Sequence, residues 1–409
     1  MFSVFHRMIS RCFEPHLNVY ITSQDKNLSD LIENFVSDTK SRGRVLGAGE
    51  GGGAVLPSAS DLFIFYKKCL VQCVSLSTGP ALLDLTELFR RYLREYSSKI
   101  LSTSLPKVSS SGSGTKLTLS LRKETIPDNS LSREDLATTC VLLCTADYCL
   151  DTTSQLETKL KEKIDSSLVE KVDFSQEQEN FHSLISSCTQ LLVQDMENAC
   201  TVAFSAMVKV PWQALEAVGD QSAYVSSIVA HVRSTIPLIR ENLTPARKYF
   251  VNFCHKLANA VIPTFITHLY KCKPISTIAA EQLLLDSHSL KTILLELPSV
   301  GAAVAKKPPA SYSKLVQKGM EKAELIIKVV MAPHEHAEEF LSSYSKLMVG
   351  DTDVANFQKV LEMKGLKRSE QHTLIDLFKT RVASAVGGAD HTRAHHTDKL
   401  IQPIKKLEK

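Results

Sequence analysis

Apolar residues recur every three to four positions along most of this chain, and strict apolar–polar alternation is scarce. That spacing commits the chain to amphipathic α-helices, each with one face to bury. After Pro80, a residue suited to a first helical turn, one face carries Leu82, Leu85, Leu88, Phe89, Tyr92, Leu93 and Tyr96. Ser132 followed by Asp135 reads as a capping box ahead of Leu136, Leu143 and Leu150, and the stripe continues at Leu156, Leu160, Ile164 and Leu168. A further helix carries Phe181, Leu184, Ile185, Cys188, Leu191 and Leu192, and another runs from about Tyr224 through Ile228 and Val232 to Ile236.

Prolines punctuate the rest. Pro245 can open a helix carrying Phe250, Phe253, Leu257 and Val261, and Pro263 is expected to kink or end it. More helices are expected over 281–297, 312–331, 335–348, 354–364 and 369–382, with Gly365 at a helix C′ position. No fixed-period repeat appears, which disfavours an array of the TPR or HEAT type.

Three segments lack the apolar content to offset the entropy of ordering: the Gly-rich 41–58, the Ser/Gly-rich 106–130 and the polar, His-rich 387–403. At 409 residues the chain exceeds one compact core. The expected division is an N-terminal helical bundle portion over 1–105, a flexible linker over 106–130, a middle bundle over 131–272, a C-terminal bundle over 273–385 and a disordered tail over 386–409.

Function classes narrow by elimination. A net charge of +4 is small for this length and argues against a nucleic-acid binder. The longest uncharged run, 69–83, is broken by Gly79-Pro80 and falls short of the roughly 20 apolar residues of a membrane span. The N-terminus lacks an apolar core of signal-peptide length. The ten cysteines form no CxxC pair and sit among apolar residues, as reduced core residues do.

Apparent motifs fail on context. The stretch 47–52 spells GxGxxG, but the segment before it is polar and Pro57 interrupts the segment after it, so it reads as a loop. His334 and His336 flank Glu335 two residues apart, whereas a metalloprotease helix needs histidines four apart on one face. Pro333 is expected to start a helix there, with Glu335, Glu338 and Glu339 at its positive end. His391, His395 and His396 lie in the polar tail, which lacks the rigid shell a catalytic site needs. No GxSxG or kinase signature appears.

Basic residues cluster at Arg240 with Arg247 and Lys248, at Lys306-Lys307, at Lys364 with Lys367 and Arg368, and at Lys405-Lys406. Such clusters are usually solvated faces, and the alternative is contact with acidic lipid or an acidic partner. The candidate interaction surface comprises Lys364, Lys367, Arg368, Arg240 and Lys248. Lys364, Lys367 and Arg368 are expected to form an exposed patch in an interhelical turn.

Many collinear stretches then add up. They include 13–21, 66–69, 157–163, 190–195, 218–222, 265–269, 272–276, 280–286, 309–312, 328–335 and 357–371. Together, over about 13–378 and again at 406–409, they resemble the vacuolar protein sorting-associated protein fifty-three family of vesicle-tethering subunits. The resemblance weakens in the three loop-like segments. It implies an all-α, elongated stack of helical bundles of the multisubunit-tether type, without enzymatic activity or cofactor. It also implies a role in retrograde transport from endosomes to the trans-Golgi network and in endocytic recycling. The implied partners are the other subunits of the Golgi-associated retrograde protein complex and of the endosome-associated recycling complex. SNARE proteins, small GTPases and peripheral membrane contact join them; no nucleic acid or small-molecule substrate does. The implied location is the cytosolic face of trans-Golgi and endosome membranes. Such proteins have a long N-terminal half with coiled-coil character, so the chain is expected to begin near the family's middle, without the part that binds other subunits. A helical scaffold or cargo adaptor of another class is the competing reading.

Overall fold

A computed structural model describes residues 16–41, 54–106, 130–304 and 307–400, with the backbone alone described from 385. The fold is all-α, with no strand among the described residues. Its helices are α1 (Leu17–Ser41), α2 (Pro57–Leu76), α3 (Pro80–Tyr96), α4 (Arg133–Lys163), α5 (Ser175–Val208) and α6 (Ala223–Asn242). They continue as α7 (Arg247–Leu269), α8 (Thr277–Glu296), α9 (Ala310–Met331), α10 (Ala337–Leu347), α11 (Val354–Met363) and α12 (Arg368–Leu400). No helix of the described residues is long and apolar enough to cross a membrane.

Local chemistry sets the boundaries. Pro80 occupies the first turn of α3, and every residue of its predicted stripe is buried. Ser132 accepts from the Asp135 amide while Asp135 reaches back, so the capping box forms as expected at the start of α4. Gly365 takes a left-handed φ of 73° after α11. There the Leu366 amide donates to Leu361 and the Gly365 amide to Glu362, the two bonds of a Schellman motif.

Three expectations about helix limits are corrected. Pro263 does not end α7, which runs on to Leu269. Pro263 deprives the Asn259 carbonyl of its usual donor, but both residues are exposed, where water can serve. Buried Val261, Ile262, Phe265 and Leu269 hold the helix on either side. Second, α10 begins at Ala337 rather than at Pro333, with Glu338 and Glu339 in its first turn. Third, α12 continues as backbone to Leu400, beyond the limit at 382 expected for this helix. No proline interrupts 368–400.

The chain divides into two compact units. The first comprises residues up to Ala199 with Val232–Leu257 and Pro298–Ala305; the second comprises Cys200–His231, Ala258–Leu297 and Lys306 onward. The boundaries expected at 105–130 and at 272 do not coincide with this division. Composition marks where a loop is polar, whereas contacts decide what folds together. Helices α2 and α4 lie on either side of the 106–130 segment and pack against each other. Residues 107–129 themselves lie outside the described residues, as do 42–53 and 401–409.

In the first unit, α3 packs against α1 and α2. Tyr66 stacks on Phe89 at 4.1 Å between ring centroids, and its hydroxyl donates to the Phe89 carbonyl at 3.0 Å. Glu177, in the first turn of α5, is fully buried and takes Arg90 Nε at 3.2 Å and the Arg94 guanidinium.

In the second unit, α8 and α9 form its most extensive helix pairing. Tyr312 donates from α9 to the Leu294 carbonyl of α8 at 2.5 Å. Beyond them, Phe340, Tyr344, Phe357 and Phe378 join α10, α11 and α12, with Phe357 stacked on Phe378 at 4.4 Å. Burial of this aromatic cluster ties the three helices together, since each large ring removes roughly 150–250 Å² from water.

Candidate functional site

The basic residues singled out from sequence are divided between the two units. Arg240 and Lys248 belong to the first unit, and Lys364, Lys367 and Arg368 to the second. Arg240 is half-buried, donates to the Pro298 carbonyl at 2.5 Å and lies over the Phe250 ring at 5.5 Å. Lys248 is exposed, but its ammonium sits 2.8 Å from Asp147, which also accepts from the Tyr249 hydroxyl. That contact with Asp147 raises the Lys248 pKa above its ordinary value. Both charges are committed to contacts within the first unit.

The expected exposed triplet is corrected at Lys364. This side chain turns inward from the end of α11, and Nζ donates to the carbonyls of Val330 at 2.7 Å and Ala332 at 2.6 Å. It also lies over the Phe340 ring at 5.2 Å. The carbonyls belong to the C-terminal end of α9, where a helix leaves acceptors unsatisfied and its dipole favours a cation. Burial draws the Lys364 ammonium down to about 8, with Glu335 pulling the other way. Spacing on a polar strip gave no sign of this, because the recipient carbonyls lie more than thirty residues away. Lys367 and Arg368 stay exposed at the start of α12.

The sequence motifs gain no site. His334, Glu335 and His336 are all exposed and precede α10. Among the described residues no group of three His, Cys, Asp or Glu side chains could hold a metal ion. The GxGxxG stretch lies outside the described residues, and the tail histidines fall where the backbone alone is described. The nine described cysteines are buried and form no disulfide. Burial pushes the thiols of Cys69 and Cys144 up to about 11 and that of Cys73 to about 12, which removes nucleophilic thiolate at neutral pH.

Sequence reasoning missed a groove of about 980 Å³ in the second unit, between α7, α9 and α11. On α7 its lining recurs at 258–259, 262–263 and 266–267, and it runs on at 270–271 just past the helix end. The helical part covers three successive turns, roughly 14 Å along the axis. Ala258, Ile262, Ile266, Leu315 and Gly319 supply an apolar floor. A Cβ on Gly319 would meet Ile262 Cγ2 at 2.8 Å, so α9 approaches α7 this closely because position 319 has no side chain.

The rim is basic. Lys271, Lys273, Lys318, Lys322 and Lys359 line the groove and are exposed. Its one carboxylate, Glu362, pairs with Lys273 at 2.7 Å, which lowers the Glu362 pKa. Lys359 extends over the Tyr270 ring at 5.2 Å. These lysines are spread over the connection after α7 (Lys271 and Lys273), α9 (Lys318 and Lys322) and α11 (Lys359), so no single local run announces them.

Known proteins resemble this chain in sequence and in fold. A family model described as vacuolar protein sorting-associated protein 53 C-terminus matches residues 281–366, and one described as Vps53, N-terminal, matches residues 1–40. A Caenorhabditis elegans vacuolar protein sorting-associated protein 53 homolog is 38% identical over 93% of this chain and 47% of its own length. Arabidopsis thaliana vacuolar protein sorting-associated protein 53 A is 35% identical over 91% of this chain and 43% of its own length. The chain thus spans about half the length of these relatives. Among solved structures, the C-terminal domain of the exocyst subunit Sec6p aligns with a TM-score of 0.58, at 11% identity and 93% coverage of both chains. The structure of the SNARE Sec20 bound to the Dsl1 complex subunit Tip20 aligns with a TM-score of 0.52, at 13% identity, covering 89% of this chain and 59% of that one. At these identities the two structures speak for the fold alone.

Proposed function

Since this chain belongs to the vacuolar protein sorting-associated protein 53 family, we propose that it is a subunit of a vesicle-tethering complex. In this reading it acts in retrograde transport from endosomes to the trans-Golgi network and in endocytic recycling. It works by protein and peripheral membrane contact at the cytosolic face of those membranes rather than by catalysis. Its partners are the other subunits of the tether, with SNARE proteins and small GTPases as further contacts.

The observation that carries this reading is identity of 38% and 35% to two vacuolar protein sorting-associated proteins over more than nine-tenths of the chain. The all-α fold supports it, since subunits of the exocyst and Dsl1 complexes share that architecture. Buried cysteines and the exposed His334 and His336 are consistent with contact rather than chemistry. Exposed Lys367 and Arg368 remain candidate contact residues of the second unit.

The test is made in cells. A tagged full-length protein containing this chain should copurify with the other tether subunits and concentrate at Golgi and endosomal membranes. Its depletion should slow the return of an endosomal cargo receptor to the Golgi. A diffuse protein whose loss leaves retrieval unchanged would overturn the reading.

A further inference from the structure

We propose that the groove between α7, α9 and α11 is a docking site for an acidic, amphipathic helix of a partner protein. The proposal deepens the tether reading by naming what one face of the subunit holds. Its test uses purified components, so it can fail while that reading stands.

Four observations lead there. The floor, built from Ala258, Ile262, Ile266 and Leu315, is apolar and lies open between three helices. An apolar strip of this kind rewards apolar side chains, not a wholly polar ligand. The lining follows α7 over three turns and continues just past its end, so the occupant that fits is a rod lying along it, in the manner of a helix in a groove. A helix of about 10 Å diameter displaces on the order of 120 Å³ per residue, so 980 Å³ accommodates a partner helix of several turns sunk part-way into the trough.

The third observation is charge. Five exposed lysines border the apolar floor, and Glu362 answers Lys273 alone. Lys318 and Lys322 stand one turn apart on α9, a spacing that carboxylates one turn apart on a partner helix can meet. The fourth is what the chain cannot supply. No segment outside the described residues carries a net negative charge; 1–15, 42–53, 107–129 and 401–409 each hold more Lys and Arg than Asp and Glu. These segments therefore offer no acidic stretch to cover the groove. A flat bilayer surface does not enter a concave trough, which favours a protein helix over lipid.

The test uses a fluorescein-labelled synthetic helix of about 14 residues, four turns long, with leucines at i, i+3, i+4 and i+7 and glutamates on both flanks. A second peptide keeps the leucines and replaces the glutamates with lysines. Fluorescence anisotropy with the full chain should show the Glu-flanked peptide binding at least about tenfold more tightly. Lys318→Glu with Lys322→Glu should weaken it by a similar factor at unchanged Tm. Ala355→Trp, at an exposed lining position, should block binding without altering charge. Hydrogen exchange should slow at 258–271, 315–322 and 355–362. Equal binding of both peptides, indifference to the lysine reversal or to Ala355→Trp, or protection elsewhere would overturn the proposal. So would phosphatidylserine vesicles that bind through Lys318 and Lys322 when the peptide does not, since that identifies a lipid surface instead.

Discussion

The ammonium of Lys364 lies 2.6 Å from the carbonyl oxygen of Ala332 and so fastens the end of α11 to the end of α9. A lysine that sequence places in a surface strip is thereby a structural residue of the second unit. Lys364→Met should destabilise that unit by about 1–3 kcal/mol, because two carbonyls lose their donor. Reversal of exposed Lys367 or Arg368 should leave stability within about 0.5 kcal/mol. Chemical unfolding of the three variants checks this, and equal effects would refute it.

The same lysine gives a pH signature. Burial lowers its pKa from 10.5 to about 8 in the folded chain. Between those values the unfolded chain holds more protons at this site than the folded one. Stability from this group therefore rises with pH from about 8 to 10.5 and is flat below 8. The difference in Tm between the wild type and Lys364→Met should widen over that interval. A difference that does not change with pH would contradict the assignment.

Gly365 should tolerate no side chain. Its φ is 73°, and a Cβ would stand 2.8 Å from Pro274 Cβ. Gly365→Ala is expected to cost more than the roughly 1 kcal/mol of a left-handed residue alone, since the contact adds to the strain. Urea unfolding should show a lowered midpoint at unchanged slope.

Glu177 and its arginines make a cooperative group. Its carboxylate is fully buried, while Arg90 and Arg94 are partly exposed. Glu177→Ala should cost about 1–3 kcal/mol, since the arginines it leaves behind are partly exposed to water. Arg90→Ala should cost less, because Arg94 still answers the carboxylate. A double-mutant cycle on Glu177 and Arg94 measures the coupling.

The buried thiols should resist modification. At pH 8 the nine described cysteines should react with iodoacetamide slowly in the native chain and fully in denaturant, as read by mass spectrometry. Rapid native labelling of Cys73, whose thiol burial lifts to about 12, would contradict the packing of α2.

Much of the helical layout is legible in sequence because its causes are local. The stripe of α3, the Ser132 capping box and the left-handed Gly365 each depend on residues within a turn or two of one another. Helix ends are less legible. Pro263 sits inside α7 because packing on both sides outweighs one lost hydrogen bond, and that packing comes from distant residues.

What the sequence by itself determined was the helical class, the faces to be buried and the family, since periodicity, caps and collinear matches are written along the chain. Only the tertiary structure decided which charges are free. Lys364 turns inward because carbonyls from another helix await it, and Lys248 is neutralised by Asp147 a hundred residues away. The groove also exists only in three dimensions. Gly319 lets α9 approach α7, and lysines unremarkable one by one come to border a common apolar floor. Electrostatic and steric complementarity depend on distance in space, which spacing along a chain does not record.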